Sequence, residues 1–254
     1  MTAFDALAKS YDAVFTDSVL GRVYRKATWA WLDQAFEPGQ QVLEIGCGTG
    51  EDAIHLAHRG VRVVATDPSA VMIEATRAKS EAAGLGHLVT ALQVDAEHID
   101  ELAGKFDGAF SSFGALNLIP QLGTVLDALA ERLRPSARLI LGIMGPVVPW
   151  EWAWFLLRGQ PAKAFRRLRR GGVEWRGVPV RYPTIGTLRN LFSHKFQFVR
   201  AGAIGAIVPP PYAEVWARRH PLVTGTLVRW ERALEMVPPL PWLADHYQIE
   251  FVRR

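Results

Sequence analysis

The chain has 254 residues, an apolar content of 49%, a charged content of 21% and one cysteine, Cys47. These values exclude a disordered polar chain and an intramolecular disulfide, and no run of about eighteen uncharged apolar residues is present to span a bilayer. The formal net charge of +4 hides a division: residues 1–145 carry 12 Lys and Arg against 18 Asp and Glu, whereas residues 146–254 carry 17 against 7, with seven of the nine tryptophans. The two parts are therefore expected to face different partners.

In chain order, "MTAFDALAKSYDAVF" holds acids and no leader-like apolar core, so no secretory signal is expected. With a lone cysteine this fits a reducing, cytoplasmic location. Residues 41–47 form a short apolar run ending in glycine, residues 51–60 a helix pattern closed by Gly60, and residues 61–67 a β-rich run. Residues 69–83 show helical spacing behind Ser69 as N-cap. Strands follow at 88–96, 106–113 and 137–144, the last preceded by a helix at 122–134 that stops at Pro135. Alternating strand and helix signals predict a mostly parallel α/β sheet covered on both faces. After Met144 the rhythm breaks into a Trp-, Arg-, Gly- and Pro-rich stretch, 145–183. A helix (184–192), a strand (195–207), a helical segment (212–237) and a final alternating strand, "HYQIEFVRR", complete the chain. Long segments between regular elements commonly act as lids.

The most informative stretch is "VLEIGCGTGED". Gly46, Gly48 and Gly50 end a strand and open a helix, where missing Cβ atoms let the chain turn tightly and a ligand approach the backbone. A dinucleotide fingerprint would place glycine at position 51, which is Glu51 here. Glu44 beside the loop disfavours a pyrophosphate and favours a cationic ligand. Asp67 ends the second strand, where a carboxylate can accept both hydroxyls of a ribose. Asp95 ends the third, followed by small Ala96, a contact for an adenine amino group. Acids at three successive strand ends are more specific than the glycines alone.

These segments resemble the S-adenosylmethionine-dependent methyltransferases of the Rossmann-like class. "VLEIGCGTG" is similar to their glycine-rich motif, "VVATDPS" to the ribose-binding strand end, "QVDAEHI" to the adenine segment and "FDGAFSSFGALNLI" to the fourth strand and its loop. "FDALAKSYDAVF" resembles the cofactor-covering N-terminal helix of the ubiquinone and menaquinone type. The resemblance implies a mostly parallel seven-stranded sheet with helices on both faces, the last strand antiparallel, and helical insertions after strands five and six. It implies one methyltransferase domain over 1–254: covering helices at 1–40, a cofactor core at 41–144, and insertions at 145–183 and 208–245 forming a substrate lid. The implied cofactor is S-adenosylmethionine. Glu44, Gly46, Cys47 and Gly48 would line its methionine side, Asp67 the ribose, Pro68 and Met72 the adenine, and Asp95 and Ala96 the adenine edge. Ser111 and Phe113 would line the methyl-donor mouth, and Tyr11 would close over the cofactor. Arg22 or Arg25 would pair with its carboxylate, against the alternative that both are solvated.

Methyl transfer is an in-line displacement that asks chiefly for alignment and exclusion of water. No general base and no metal site is identifiable in the sequence. Asn117 lies in the loop after the fourth strand, and His194, His220, His246, Tyr182 and Tyr212 lie in the variable part. "SSFG" in place of an Asn/Asp-Pro-Pro-aromatic motif argues against base methylation. The stretch 150–172 combines three tryptophans with Arg158, Lys163, Arg166, Arg167, Arg169 and Arg170. A helix opened by Pro161, with Phe165 and Leu168 on one face, would suit an anionic membrane surface, an anionic substrate, RNA, or a lid with solvated arginines. The expected function is methyl transfer to a small apolar or amphiphilic acceptor: lipid-like, isoprenoid or a natural product. The alternatives are an anionic polar metabolite as acceptor, a nicotinamide-dependent oxidoreductase, and a non-catalytic membrane-surface protein on the same fold.

Overall fold

A computed structural model describes residues 12–169, 171–175 and 177–254. Tyr11 and most of the expected covering helix lie outside these residues, as does Arg170. Seven strands make the main sheet: β1 (Gln41–Ile45), β2 (Arg62–Asp67), β3 (Val89–Gln93), β4 (Phe106–Ser111), β5 (Leu133–Met144), β8 (Phe196–Ile204) and β9 (His246–Arg253), in spatial order β3-β2-β1-β4-β5-β9-β8. The first five strands run parallel, and β9 is antiparallel to both of its neighbours. The order reverses between β1 and β4, and the carboxyl edge at that switch is where such sheets bind ligands.

Helix α1 (Val19–Ala35) covers one face with α2 (Glu51–His58) and α3 (Ala70–Ala82), burying Trp31, Leu32, Phe36, Leu56 and Ile73. The other face carries α4 (Leu122–Arg132) and α6 (Ile185–Phe192), reached through α5 (Pro149–Leu156) and the hairpin of β6 (Val173–Trp175) and β7 (Val178–Val180). Close packing decides several residues. A Cβ on Gly202 would lie 2.5 Å from the Trp31 ring, so glycine in β8 is what admits that tryptophan to the core. Glu250, buried in β9, is held between Arg138 at 3.0 Å and Arg200 at 2.6 Å.

The structure differs from the sequence expectation in four places. Helix α4 ends at Arg132 and β5 starts at Leu133, because Pro135 excludes helix while an edge of the strand tolerates it. The first insertion is only partly helical, since Gly172 at positive φ leads into β6 and Gly177 at positive φ lies in the turn to β7. No amphipathic helix forms over 161–169. A single turn, Pro161–Ala164, leaves helical geometry at Phe165 (φ −100°, ψ 13°), and Arg167 turns inward. The segment 212–237 breaks at His220 into α7 (Glu214–Arg219) and α8 (Pro221–Leu234), because Pro221 has no N–H to continue the ladder. Among the described residues no helix is long and apolar enough to cross a membrane.

Candidate active site

The carboxyl ends of β1, β2, β4 and β5 open on one cavity of about 820 Å³. Its floor is the turn after β1. Gly46, Gly48 and Gly50 have φ of +73°, +54° and +82°. A Cβ on Gly46 would strike Ala115 at 2.4 Å and one on Gly50 would strike Thr76 at 2.6 Å, whereas one on Gly48 would stand in open space. The turn is pinned by the backbone N–H of Gly48 donating to Asp67 at 3.0 Å, and by Thr76 donating to the Gly48 carbonyl at 2.9 Å. Asp67 also accepts the Ser69 N–H at 2.9 Å. These two bonds orient the carboxylate, which lines the cavity.

Glu44 is buried, and its Oε2 has no hydrogen-bond partner among the described residues. Burial, reinforced by Asp52 and Asp67 and opposed by Arg25, pushes its pKa well above the usual carboxylate range. A cation in the cavity would relieve that cost, whereas an anion would add to it. Asp52 is buried beside it and accepts from Arg25 at 2.8 Å and from the Trp29 indole at 2.7 Å. Cys47 is buried, and burial pushes its thiol pKa up, which suits an inert wall residue.

Glu44, Gly46, Cys47, Gly48, Asp67, Pro68, Met72, Asp95, Ala96 and Phe113 all line this cavity. Asp95 stands two residues beyond β3, where its side chain caps a short turn by accepting the Glu97 N–H at 3.1 Å. Ser111 is a correction. Its hydroxyl turns into the sheet and donates to the Ile45 carbonyl at 2.8 Å, and the next residue, Ser112, lines the cavity instead. The two arginines of α1 divide. Arg22 is exposed and donates to the Asp17 carbonyl. Arg25 is not solvated: it is buried, lines the cavity, and lies 4.9 Å from the centre of the Phe113 ring. Phe113 itself has φ +52°, an unusual conformation for an aromatic residue, held by ring contacts with Phe15 and His246.

Sequence reasoning missed Asp52, Thr76 and the entry cluster where Lys79 pairs with Asp12 at 2.6 Å and Glu51 at 2.5 Å. Asp52 and Glu51 adjoin the glycine turn in sequence, which was the available signal. Asn117 is a structural staple: its amide donates to the Met144 carbonyl at 3.1 Å and accepts the Met144 N–H at 3.0 Å. His194 and His220 are exposed, and Tyr212 packs on Trp154 at 5.1 Å.

The opposite wall comes from the first insertion: Val173, Trp175, Val178, Val180, Tyr182 and Arg166. It is fixed by a buried ion cluster. Arg167 pairs with Glu151 at 2.7 Å and Asp245 at 2.6 Å, and Arg166 pairs with Glu151 at 2.8 Å. Burial alone would raise the Asp245 pKa, but Arg167 and His246 outweigh it and hold the carboxyl below the usual range. The acids lining the cavity all belong to its glycine-turn end. Tyr182 is the phenol on the other wall, its pKa raised by burial against the opposing arginines.

A methyltransferase domain model matches residues 42–136. Over 169 residues the chain is 31% identical to a demethylmenaquinone methyltransferase of Corynebacterium urealyticum, spanning 64% of this chain and 69% of that protein. This chain belongs to the class I S-adenosylmethionine-dependent methyltransferases. A demethylmenaquinone methyltransferase of a Mycobacterium species is 32% identical over 140 residues, 54% of this chain. The chain spans 56% of that relative's length. Among solved structures, a Burkholderia thailandensis 1,6-didemethyltoxoflavin-N1-methyltransferase superposes with a TM-score of 0.59 at 20% identity, over 99% of this chain and 85% of that one. A magnesium protoporphyrin IX methyltransferase from Synechocystis gives 0.53 at 20% identity, over 92% and 83%. These last two likenesses concern the fold. S-adenosylmethionine is the cofactor expected of this methyltransferase. The residues fit it: the buried Glu44 oxygen with no partner among the described residues suits a cationic group, the open side of Gly48 admits a ligand against the backbone, and Asp67 brings a carboxylate to the cavity wall.

Proposed function

We propose that the protein transfers a methyl group from S-adenosylmethionine to a small acceptor of apolar or amphiphilic character. The observation that carries this reading is the division of one cavity into an acidic end at the glycine turn and an insertion wall of Val173, Trp175, Val178 and Val180, whose two arginines, Arg166 and Arg167, are ion-paired. Its volume, about 820 Å³, is within the range of sites for cofactor-sized ligands. In this reading Glu44, Gly46, Cys47 and Gly48 hold the methionine part, Asp67 the ribose, and Pro68, Met72, Asp95 and Ala96 the adenine. Phe113 and Ser112 stand at the mouth, and Arg25 faces the donor carboxylate. Bound there, S-adenosylmethionine supplies an activated methyl group. The chain's own residues orient it, and the hairpin wall positions the acceptor and excludes water, which is where enzymes of this kind gain most of their rate.

In a single domain the insertion 145–183 then walls the acceptor, whereas no described residue of 208–245 lines the cavity, so the second insertion is not part of that wall. An apolar acceptor is favoured over an anionic one because Arg167 already spends its charge on Glu151 and Asp245, and Arg166 shares Glu151. The relatives named for demethylmenaquinone suggest the same class, a ring compound carrying a hydrocarbon tail. The test is incubation of the protein with methyl-labelled S-adenosylmethionine and a cell extract, followed by partition between organic solvent and water. Label in the organic phase, lost in Asp67→Ala, supports the reading. Label confined to water would replace it with a polar acceptor, and no transfer at all would leave the non-catalytic alternative.

A further inference from the structure

Helix α8 carries apolar side chains on its solvent face as well as on its inner face. Leu222 is 87% exposed and Trp230 60% exposed, with Val223, Leu234, Met236 and Val237 exposed beside or beyond them. Leu222, Thr226, Trp230 and Leu234 recur every four residues and share one face. A surface helix normally turns its apolar stripe to the core. Here Leu227 and Val228 do pack inward on the cluster around Leu20 and Tyr24, together with two buried polar side chains, and a second apolar stripe is left outside. Glu231 is buried and accepts the backbone N–H groups of Gly205, Ile207 and Val208 at 2.7–2.8 Å. Thr224 is buried and donates to the His220 carbonyl at 3.0 Å.

The charges sort the same way. The acids of 212–237 are all engaged by the protein: Glu214 accepts the Val19 and Leu20 N–H groups at the start of α1, Glu231 is bonded as above, and Glu235 accepts the Trp31 indole. The arginines Arg219, Arg229 and Arg232 face outward. Arg232 donates to the Lys26 carbonyl, which brings exposed Lys26 of α1 alongside. An apolar stripe with an exposed tryptophan is therefore rimmed by cations.

We propose that the outer face of α8 docks the protein on an anionic lipid bilayer, with the helix lying in the interface plane. At about 21 Å the helix is too short to span, but an apolar face with a basic border is the pattern that partitions into the headgroup region. Tryptophan is favoured at that depth, and basic residues add attraction to anionic lipid. A second copy is a poorer occupant, since a two-fold contact places the same surface on itself and would set arginines against arginines. The surface lies on the second insertion and not on 150–172, where Arg166 and Arg167 are held by Glu151 and Arg158 stacks on Trp154 at 3.5 Å. The proposal rests on the methyltransferase reading only in that a hydrocarbon-tailed acceptor would be met at such a surface.

The test is co-sedimentation of the full chain with phosphatidylcholine vesicles, with and without phosphatidylglycerol, over a salt series. The expected result is binding to the mixed vesicles that weakens as salt rises, and a roughly tenfold weaker partition for both Trp230→Glu and Leu222→Asp. Circular dichroism and the thermal midpoint of both variants are expected to match the parent, because both side chains are largely exposed. Equal binding to neutral vesicles, no binding to either, or unchanged binding by the folded variants would overturn the proposal. So would a dimer in light scattering that Trp230→Glu dissociates. Retained release of S-adenosylhomocysteine by Trp230→Glu with a water-soluble acceptor separates failure of this surface from failure of the proposed activity, which Asp67→Ala addresses.

Discussion

The donor end of the cavity and the insertion wall handle charge in opposite ways. Around the glycine turn, buried or half-buried carboxylates outnumber cations, and Glu44 keeps an oxygen with no partner among the described residues. In residues 146–254 every buried charge among the described residues has a protein partner: Arg167 between Glu151 and Asp245, Glu250 between Arg138 and Arg200, Glu231 on three N–H groups. The first arrangement leaves electrostatic work for a ligand to do, and the second does structural work. A region's net charge is therefore a poor guide to its sites. The basic half spends its cations on internal pairing or displays them on an outer face, while the acidic half carries the polar binding end.

That contrast can be broken most strongly at Arg167. Arg167→Met would leave Asp245 with only His246 and Glu151 with only Arg166, and is expected to cost about 3 kcal/mol in urea unfolding. Its pH dependence follows from Asp245, whose folded pKa is depressed. A depressed carboxylate contributes stability above its unfolded value of about 3.9, and that contribution is lost as pH falls through the folded value. The acid-side loss seen in the parent should shrink in Arg167→Met.

On the donor side, Asp67→Ala removes the carboxylate proposed to accept the ribose hydroxyls, together with two backbone anchors. It should weaken S-adenosylmethionine binding about a hundredfold in calorimetry, two charge-assisted bonds being worth roughly 1.5 kcal/mol each. Glu44 gives a smaller and more specific signal. Because burial raises its folded pKa, its unfavourable ionisation costs stability as pH rises above the usual carboxylate range. A cationic donor favours the ionised form, so binding should release a proton and tighten as pH rises through that window. Glu44→Gln should abolish the proton release and weaken affinity about tenfold. The smallest effect is expected at Arg158, whose exposed guanidinium stacks on Trp154. Arg158→Ala should change stability by about 0.5–1 kcal/mol, and a larger loss would mean that this arginine is structural in the way Arg167 is.

The strand–helix alternation and the acidic glycine turn were legible because their demands are local. A strand that must turn at once into a helix needs positive φ, and Gly46, Gly48 and Gly50 announce it. Asp67 follows from the same logic at the next strand end. Less local features were lost. Whether Ser111 or Ser112 faces the cavity depends on where β4 stops, since one residue of shift exchanges the two faces of a strand.

By itself, then, the sequence determined the α/β alternation, the glycine turn with its strand-end acids, and the family, since backbone geometry and strand-end chemistry are written in neighbouring residues. Only the tertiary structure decided what the arginines and tryptophans of the second half do. Arg167 meets Asp245 across 78 positions of chain. Arg25 is buried by Asp52 and Phe113 brought in from two other elements. Periodicity marks α8 as two-sided, but which side meets water is settled by the packing of Glu231 and Thr224 against the backbone beneath. Charge pairing and burial are properties of neighbours in space, and no short stretch of sequence contains them.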